Sequence, residues 1–296
     1  MIWLFAWRLS RWLPVSVMAF IIKRVTPVAL RRGAIPVEHL KRNLAAVLGE
    51  LPAEQMDALV HTNVRSYARY WREVFELSRP RGLRLLRQVV VHHADVLRQA
   101  AARGHGVVLA LPHMANWDLA GAWAAQHYRV TTVAEQVSPR QLYERFCTMR
   151  EGVGMRVIPL GSGLETLTLL RQTLEAQQVV ALVADRVVTG AAGVPVRFAD
   201  EQAVLPAGPA TLAYQTGAAL VPVDLHYVDQ QMHVCFLPPV SVDQGRPRRE
   251  EVARVTQVLA DVFVDVVRAH PQDWRALQPV VTHTPPSPEL QRQDGS

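Results

Sequence analysis

From residue 81 onward, short apolar runs alternate with stretches whose hydrophobic positions recur every three or four residues. The runs Val89-Val90-Val91, Val107 to Leu111, Val130 to Val133, Val157-Ile158, Val179 to Val183, Leu220 to Val223 and His233 to Phe236 are a few residues long and rich in β-branched side chains. They predict strands. The stretches between them predict helices over Ala94 to Ala102, Trp117 to Gln126, Pro139 to Glu151, Leu164 to Ala176 and Ala207 to Tyr214, with a longer one over Arg248 to Ala269. Such alternation implies an α/β fold, a central, largely parallel mixed β-sheet flanked by α-helices.

The chain before residue 81 reads differently. Apolar positions at helical spacing predict helices over Val37 to Leu48 and Ala53 to Leu77, separated by the stop and start signals Gly49 and Pro52. Tyr67, Tyr70, Trp71 and Phe75 share the second helix and are read as core. The first 22 residues mix Trp3, Phe5, Trp7, Trp12 and Phe20 with Arg8 and Arg11, which interrupt any run long enough to span a bilayer. No small-x-small cleavage site follows, so a secretory signal is not expected. Aromatics opposite arginines predict an amphipathic helix lying in a membrane interface. Beyond Val281 the stretch THTPPSPELQRQDGS is polar and proline-rich. The expected organisation is one domain over 1–283, helical over 1–80 and α/β over 81–283, with a disordered tail over 284–296.

A length of 296 residues, 49% hydrophobic and 20% charged, suits one folded domain with a large core. The net charge of +6, carried almost wholly by arginine, points to an anionic partner such as a phospholipid surface or a phosphorylated cofactor. Nucleic acid is disfavoured because the aromatics fall mostly on apolar helix faces, where they are not available to stack on bases. Cys147 and Cys235 offer neither a disulfide framework nor a metal-ligand spacing, so no metal is expected, and a reducing compartment fits.

The chemistry centres on Leu109-Ala110-Leu111-Pro112-His113-Met114-Ala115-Asn116-Trp117-Asp118. Residues five apart on one helix lie about 140° apart around its axis, so His113 and Asp118 can meet only across a strand end, a turn and a new helix. Asn116 is a good N-cap for that helix, and Asp118 falls at its positive end. The pair reads as an acid-base site, with His113 as base and Asp118 holding the imidazole tautomer. No nucleophilic Ser or Cys stands near, so direct attack by an acceptor without a covalent intermediate is expected. Nucleophile-elbow, Walker, dinucleotide-binding and zincin motifs are absent. His92-His93 lacks the spacing of a condensation-type acyltransferase pair and is read as structural. Asp185-Arg186 is read as an internal ion pair.

The H-x-x-x-x-D motif at a strand end, followed in order by VAEQVSPRQLYERFCTMRE, VALVADR, VLPAGPATLA and GAALVPV, resembles the glycerolipid acyltransferase superfamily. Within it the chain looks like the bacterial lipid A late acyltransferase branch, and most like its phosphatidylinositol mannoside acyltransferases. The likeness runs to about Trp274. It implies transfer of a long acyl chain from acyl-CoA, as co-substrate and with no cofactor, to a mannose hydroxyl of a phosphatidylinositol mannoside. The implied location is the cytoplasmic face of the cell membrane, bound peripherally to an anionic surface. A lipid A-type enzyme using acyl carrier protein, or a non-catalytic lipid binder, remain alternatives. The resemblance also implies Glu201, after Val196-Arg197-Phe198, as the acid working with His113; relatives carry glycine before it, so Asp200 is the alternative. It assigns Arg150 to the phosphorylated donor and Glu135 to acceptor hydroxyls. Ala207 and Gly208 open a helix whose N–H groups are expected to approach the thioester oxyanion or a donor phosphate.

Overall fold

A computed structural model describes residues 37–161, 163–187 and 193–281, with Val17, Arg24, Val25, Val28 and Arg32 as isolated positions. The interfacial helix expected over 1–22 and the tail over 284–296 lie outside these residues. Among the described residues from 37 onward, two helices come first, α1 (Glu38–Leu48) and α2 (Ala53–Leu77). Gly49, at φ 79°, ends α1 in a conformation that suits glycine, and Pro52 starts α2.

A 3₁₀ turn (Gly82–Gln88) leads into β1 (Val89–His92), α3 (Ala94–Ala102), β2 (Val107–Leu111), α4 (Trp117–Ala125) and β3 (Val130–Ala134). Then follow α5 (Arg140–Gly152), β4 (Arg156–Pro159), α6 (Gly163–Glu175), β5 (Val179–Val183), β6 (Val194–Phe198) and β7 (Glu201–Leu205). The chain closes with α7 (Gly208–Thr216), β8 (Ala219–Val228), β9 (Gln231–Phe236) and α8 (Arg248–Ala269). Seven strands form one sheet in the order β1-β9-β8-β2-β5-β3-β4. Every pair in it is parallel except the β8–β9 hairpin, which makes the sheet mixed and largely parallel as the sequence predicts. In β2 all five residues are buried, as expected for a strand covered on both faces.

Two differences from the sequence pattern have physical causes. The hairpin β6–β7 stands apart from the large sheet, and the alternation of apolar runs does not predict its strands. In VPVRF, Val196 and Phe198 are buried while Pro195 and Arg197 are exposed, and a proline inside so short a run argues against a strand. Strand β8 runs past Val223 through Asp224 and His226, both buried despite their polarity. Period-two hydrophobicity cannot see such positions.

The C-terminal segment returns across the helical preamble and is held there by buried amides. Asn43 Nδ2 donates to the carbonyls of Ala276 at 2.9 Å and Gln278 at 2.7 Å, and Asn63 Nδ2 to that of Trp274 at 2.6 Å. Glu73, fully buried in α2, pairs within its own helix and ties that helix to two further regions. It accepts from Arg69 Nε at 2.7 Å, from Asn116 Nδ2 at 2.9 Å and from the Tyr227 hydroxyl at 2.7 Å. Removing one member of such a network strands the others without water. Glu73→Ala is expected to cost about 3 kcal/mol or more of stability, read from urea unfolding, with Glu73→Gln costing less. Equal midpoints for Glu73→Ala and the parent would contradict this role.

Candidate active site

Parallel pairing of β2 and β5 sets Leu111 beside Val183. Each strand ends there, and two residues further on the chain places His113 after one and Asp185 after the other. The backbone bond from Ala184 N to Leu111 O, at 2.8 Å, keeps the two ends in step. The result lies outside the carboxyl ends of the strands, where open α/β sheets characteristically bind ligands. His113 Nδ1 meets Asp185 Oδ1 at 2.5 Å, and the His113 backbone N–H donates to Asp185 Oδ2 at 2.9 Å. The Trp274 indole N–H donates to the same Oδ2 at 2.9 Å.

Asp185 is buried to 1% exposure, which by itself would raise its pKa. The His113 charge and the hydrogen bonds from His113 and Trp274 outweigh that burial and hold the carboxyl below its ordinary range. With Nδ1 engaged, Nε2 is the imidazole nitrogen left for chemistry.

His113 opens onto a cavity of about 670 Å³, a size that suits a drug-sized or lipid-chain ligand. Its walls are mainly apolar, with Trp71, Phe146, Leu142, Leu167 and Leu182 among them, and its polar side chains include Arg150, Arg186 and Glu135. Each arginine is backed by a carboxylate. Arg150 Nε donates to Asp118 Oδ1 at 2.6 Å, and Arg186 donates to Glu135 Oε2 at 3.1 Å. The Arg275 guanidinium, buried, lies 4.6 Å from the Tyr70 ring centroid and braces the aromatic wall.

The turn that carries His113 is fixed from both sides. Ala115 adopts φ 42°, a strained value for a residue with a Cβ, and its N–H donates to the Asp273 carbonyl at 3.0 Å. Arg275 N donates to His113 O at 2.8 Å, and Met114 pairs with Trp274. Asn116 then caps α4 as expected, its Oδ1 accepting from Leu119 N at 2.9 Å.

These contacts revise several expectations. Asp118 does not hold the imidazole: it is buried beneath the cavity, bonded to Arg150 and to the Tyr70 hydroxyl at 3.1 Å, and Asp185 takes the place at Nδ1. The cause is geometric. A left-handed turn at Ala115 followed by the start of α4 carries Asp118 past the ring, and the His113 ring instead meets the edge of Trp117. Asp185 and Arg186 form no ion pair with each other, since adjacent residues leaving a strand point to different sides and each finds its own partner. Glu201 begins β7 opposite Phe198 in the separate hairpin, and neither it nor Asp200 lines the cavity. Arg150, Glu135 and Gly208 do line it, together with Pro206 and Pro209, whereas Ala207 serves as the N-cap residue of α7. A Cβ at Gly208 would meet nothing within 4 Å, so the cavity is open there. Sequence reading missed Asp185 as the partner of His113. The available signal was the match between LALPH and LVAD, two apolar strands followed at the same distance by a polar residue.

A sequence model of the bacterial lipid A biosynthesis acyltransferase family matches residues 1–280. The chain belongs to that family. It is 40% identical over 275 residues to the phosphatidylinositol mannoside acyltransferase of Mycolicibacterium smegmatis, covering 92% of this chain and 88% of the relative. It is 43% identical over 246 residues to the protein of the same name from Mycobacterium tuberculosis, covering 82% of this chain and 76% of that relative. Both alignments are long enough to take in the strand ends that meet at the cavity.

Because the Asp185 carboxyl titrates lower in the folded chain than in the unfolded one, its contribution to stability is complete above the ordinary carboxylate pKa of about 3.9. That contribution is lost as pH falls through the lower, folded value. Urea unfolding followed from neutral pH to below pH 4 should therefore show a steeper acid loss in the parent than in Asp185→Asn. Parallel stability curves for the two would remove Asp185 from this role.

Proposed function

We propose that this chain transfers a long-chain acyl group, such as palmitoyl, from acyl-CoA to a mannose hydroxyl of a phosphatidylinositol mannoside. The observation that carries the reading is the His113–Asp185 pair facing an apolar cavity with arginines in its wall. The names of the two mycobacterial relatives supply the acceptor class. No cofactor enters the reaction, and acyl-CoA is a co-substrate.

An alcohol is a poor nucleophile near neutral pH, so transfer needs a base at the hydroxyl. His113 Nε2 takes the hydroxyl proton while the oxygen attacks the thioester carbonyl carbon. Asp185 stabilises the imidazolium that forms, as the carboxylate does in a serine hydrolase triad. The tetrahedral intermediate collapses by breaking the C–S bond, and the imidazolium returns its proton to the departing thiolate. Atoms balance without an acyl-enzyme. Gly208, in the open part of the cavity at the start of α7, offers its N–H to the oxyanion. Ala207 sets that helix start. Arg150, held by Asp118, meets phosphate of the donor, for which a guanidinium is well matched. Glu135 receives acceptor hydroxyls beside Arg186.

The arginine-rich chain and the aromatic N-terminus fit peripheral attachment to an anionic membrane surface on the cytoplasmic side. Among the described residues, no helix is long and apolar enough to cross a membrane.

The deciding experiment incubates the purified protein with radiolabelled palmitoyl-CoA, or palmitoyl carried on acyl carrier protein, and a panel of acceptors including inositol mannosides and lipid A precursors. Transfer from the CoA thioester to the mannoside is expected. Preference for the carrier protein and a lipid A precursor would favour that other branch, and label retained on denatured protein would overturn direct attack. His113→Ala should abolish transfer, and Asp185→Asn should lower kcat by on the order of 10⁴-fold. Asp118→Asn, which releases Arg150, should instead raise KM for acyl-CoA more than it lowers kcat. If Asp118→Asn reproduced the kcat loss of Asp185→Asn at unchanged KM, the assignment of the two carboxylates would be wrong.

A further inference from the structure

A second concentration of chemically capable side chains lies outside the cavity, on the β1–β9–β8 side of the sheet. The hairpin register sets Asp224 opposite Cys235 and His226 opposite His233, and the parallel pairing of β1 sets His92 beside Cys235. Side chains alternate along strands with period two, so these five share one face. His270, just past α8, stacks on His226 with ring centroids 3.7 Å apart.

This cluster is part-buried, with Cys235 and His233 half-exposed at its edge, and its own hydrogen bonds leave two buried polar atoms unmatched. Asp224 and His226 are 9% and 8% exposed. Asp224 Oδ2 meets His226 Nδ1 at 3.0 Å, and His92 Nε2 meets His233 Nδ1 at 3.0 Å. Asp224 Oδ1 and His233 Nε2 are both buried without a hydrogen-bond partner. A buried carboxylate oxygen without a partner is costly and calls for a ligand or ion to satisfy it. Among the described residues, no Lys or Arg forms an ion pair with Asp224; its ion-pair partners are His226 and His270.

We propose that Asp224, His226 and Cys235 form a binding site for a zinc-class divalent ion, distinct from the acyl-transfer cavity, that fastens the β8–β9 hairpin. One ligand atom from each of the three lies within 4.8 Å of the other two. Bonds of about 2.0–2.3 Å to a tetrahedral ion place ligands about 3.5 Å apart, a gap that small rotamer changes close. The oxygen, nitrogen and sulfur donors suit zinc or cobalt. Calcium and magnesium take oxygen ligands and have no use for the imidazole and thiolate. Water completes the four-coordinate shell, and the Cys235 thiol proton passes to solvent as the Sγ–metal bond forms. The set is invisible to cysteine spacing, because its members meet only through the hairpin register.

The hairpin also bears on the rest of the molecule. Tyr227, next to His226, donates its N–H to Asp273 at 2.9 Å and its hydroxyl to Glu73. An ion beside it would therefore stiffen the segment that braces the His113 turn.

The test uses full-length protein stripped with a chelator and titrated with Co²⁺. One equivalent is expected to bind and to produce a near-ultraviolet thiolate-to-cobalt charge-transfer band together with the intense visible bands of a tetrahedral site. Zn²⁺ should displace both. Cys235→Ser should lose the near-ultraviolet band while Cys147→Ser keeps it, and His226→Gln should weaken binding at least tenfold. Zn²⁺ should also raise the Tm of the stripped parent protein. Absence of a cobalt band in the parent overturns the proposal, as does a band that survives in Cys235→Ser. Should Cys235→Ser fail to fold, the parent spectrum and that of Cys147→Ser decide the question alone.

Discussion

A carboxylate buried between two strand ends is stable only when its oxygens are occupied, and Asp185 imposes that requirement on everything around it. Its partners are the His113 ring, the His113 backbone N–H and the Trp274 indole. Each comes from a different pressure on the chain. The ring and backbone require β2 to end in register with β5, and the indole requires the C-terminal segment to return across the molecule. The segment in turn needs anchors, and Asn43 and Asn63 on the two leading helices provide them. The helical preamble is thereby coupled to the orientation of one imidazole more than 40 residues away in sequence.

The cations at the cavity follow a related logic. Burying a guanidinium without a counter-charge costs several kcal/mol, so Arg150 and Arg186 are each seated on a carboxylate, Asp118 and Glu135. A pair of this kind fixes the arginine's position while leaving some of its five N–H donors for a ligand. Binding then requires little reorganisation of the wall.

Much of the fold was legible because its hydrophobic periodicity is clean. The helices over Ala53–Leu77, Ala94–Ala102 and Arg248–Ala269 and the strands over Val107–Leu111 and Val179–Val183 follow directly from period 3.6 or from short buried β-branched runs. Legibility ended where polarity is buried. Strand β8 was cut short at Asp224, and the β6–β7 hairpin was hidden by Pro195. The site divides in the same way. Asn116 caps α4 as the local pattern predicts, and His113, Arg150, Glu135 and Gly208 line the cavity, each set there by the strand end or helix that carries it. The partner of His113 was misread because it is a long-range choice: Asp185 is 72 residues away and enters through strand pairing alone.

The fixed five-residue step from His113 to Asp118 acquires a different meaning in this light. Direct contact would demand that the two side chains converge, yet the left-handed turn at Ala115 and the Asn116 cap separate them. The step is instead set by the distance needed to leave β2, turn, and begin α4 with an acid at its positive end. That acid then holds Arg150 in the cavity wall, which His113 also lines. The motif thus positions a base and a cation-holder on opposite ends of one short turn, and the carboxylate that orients the base is supplied by the neighbouring strand.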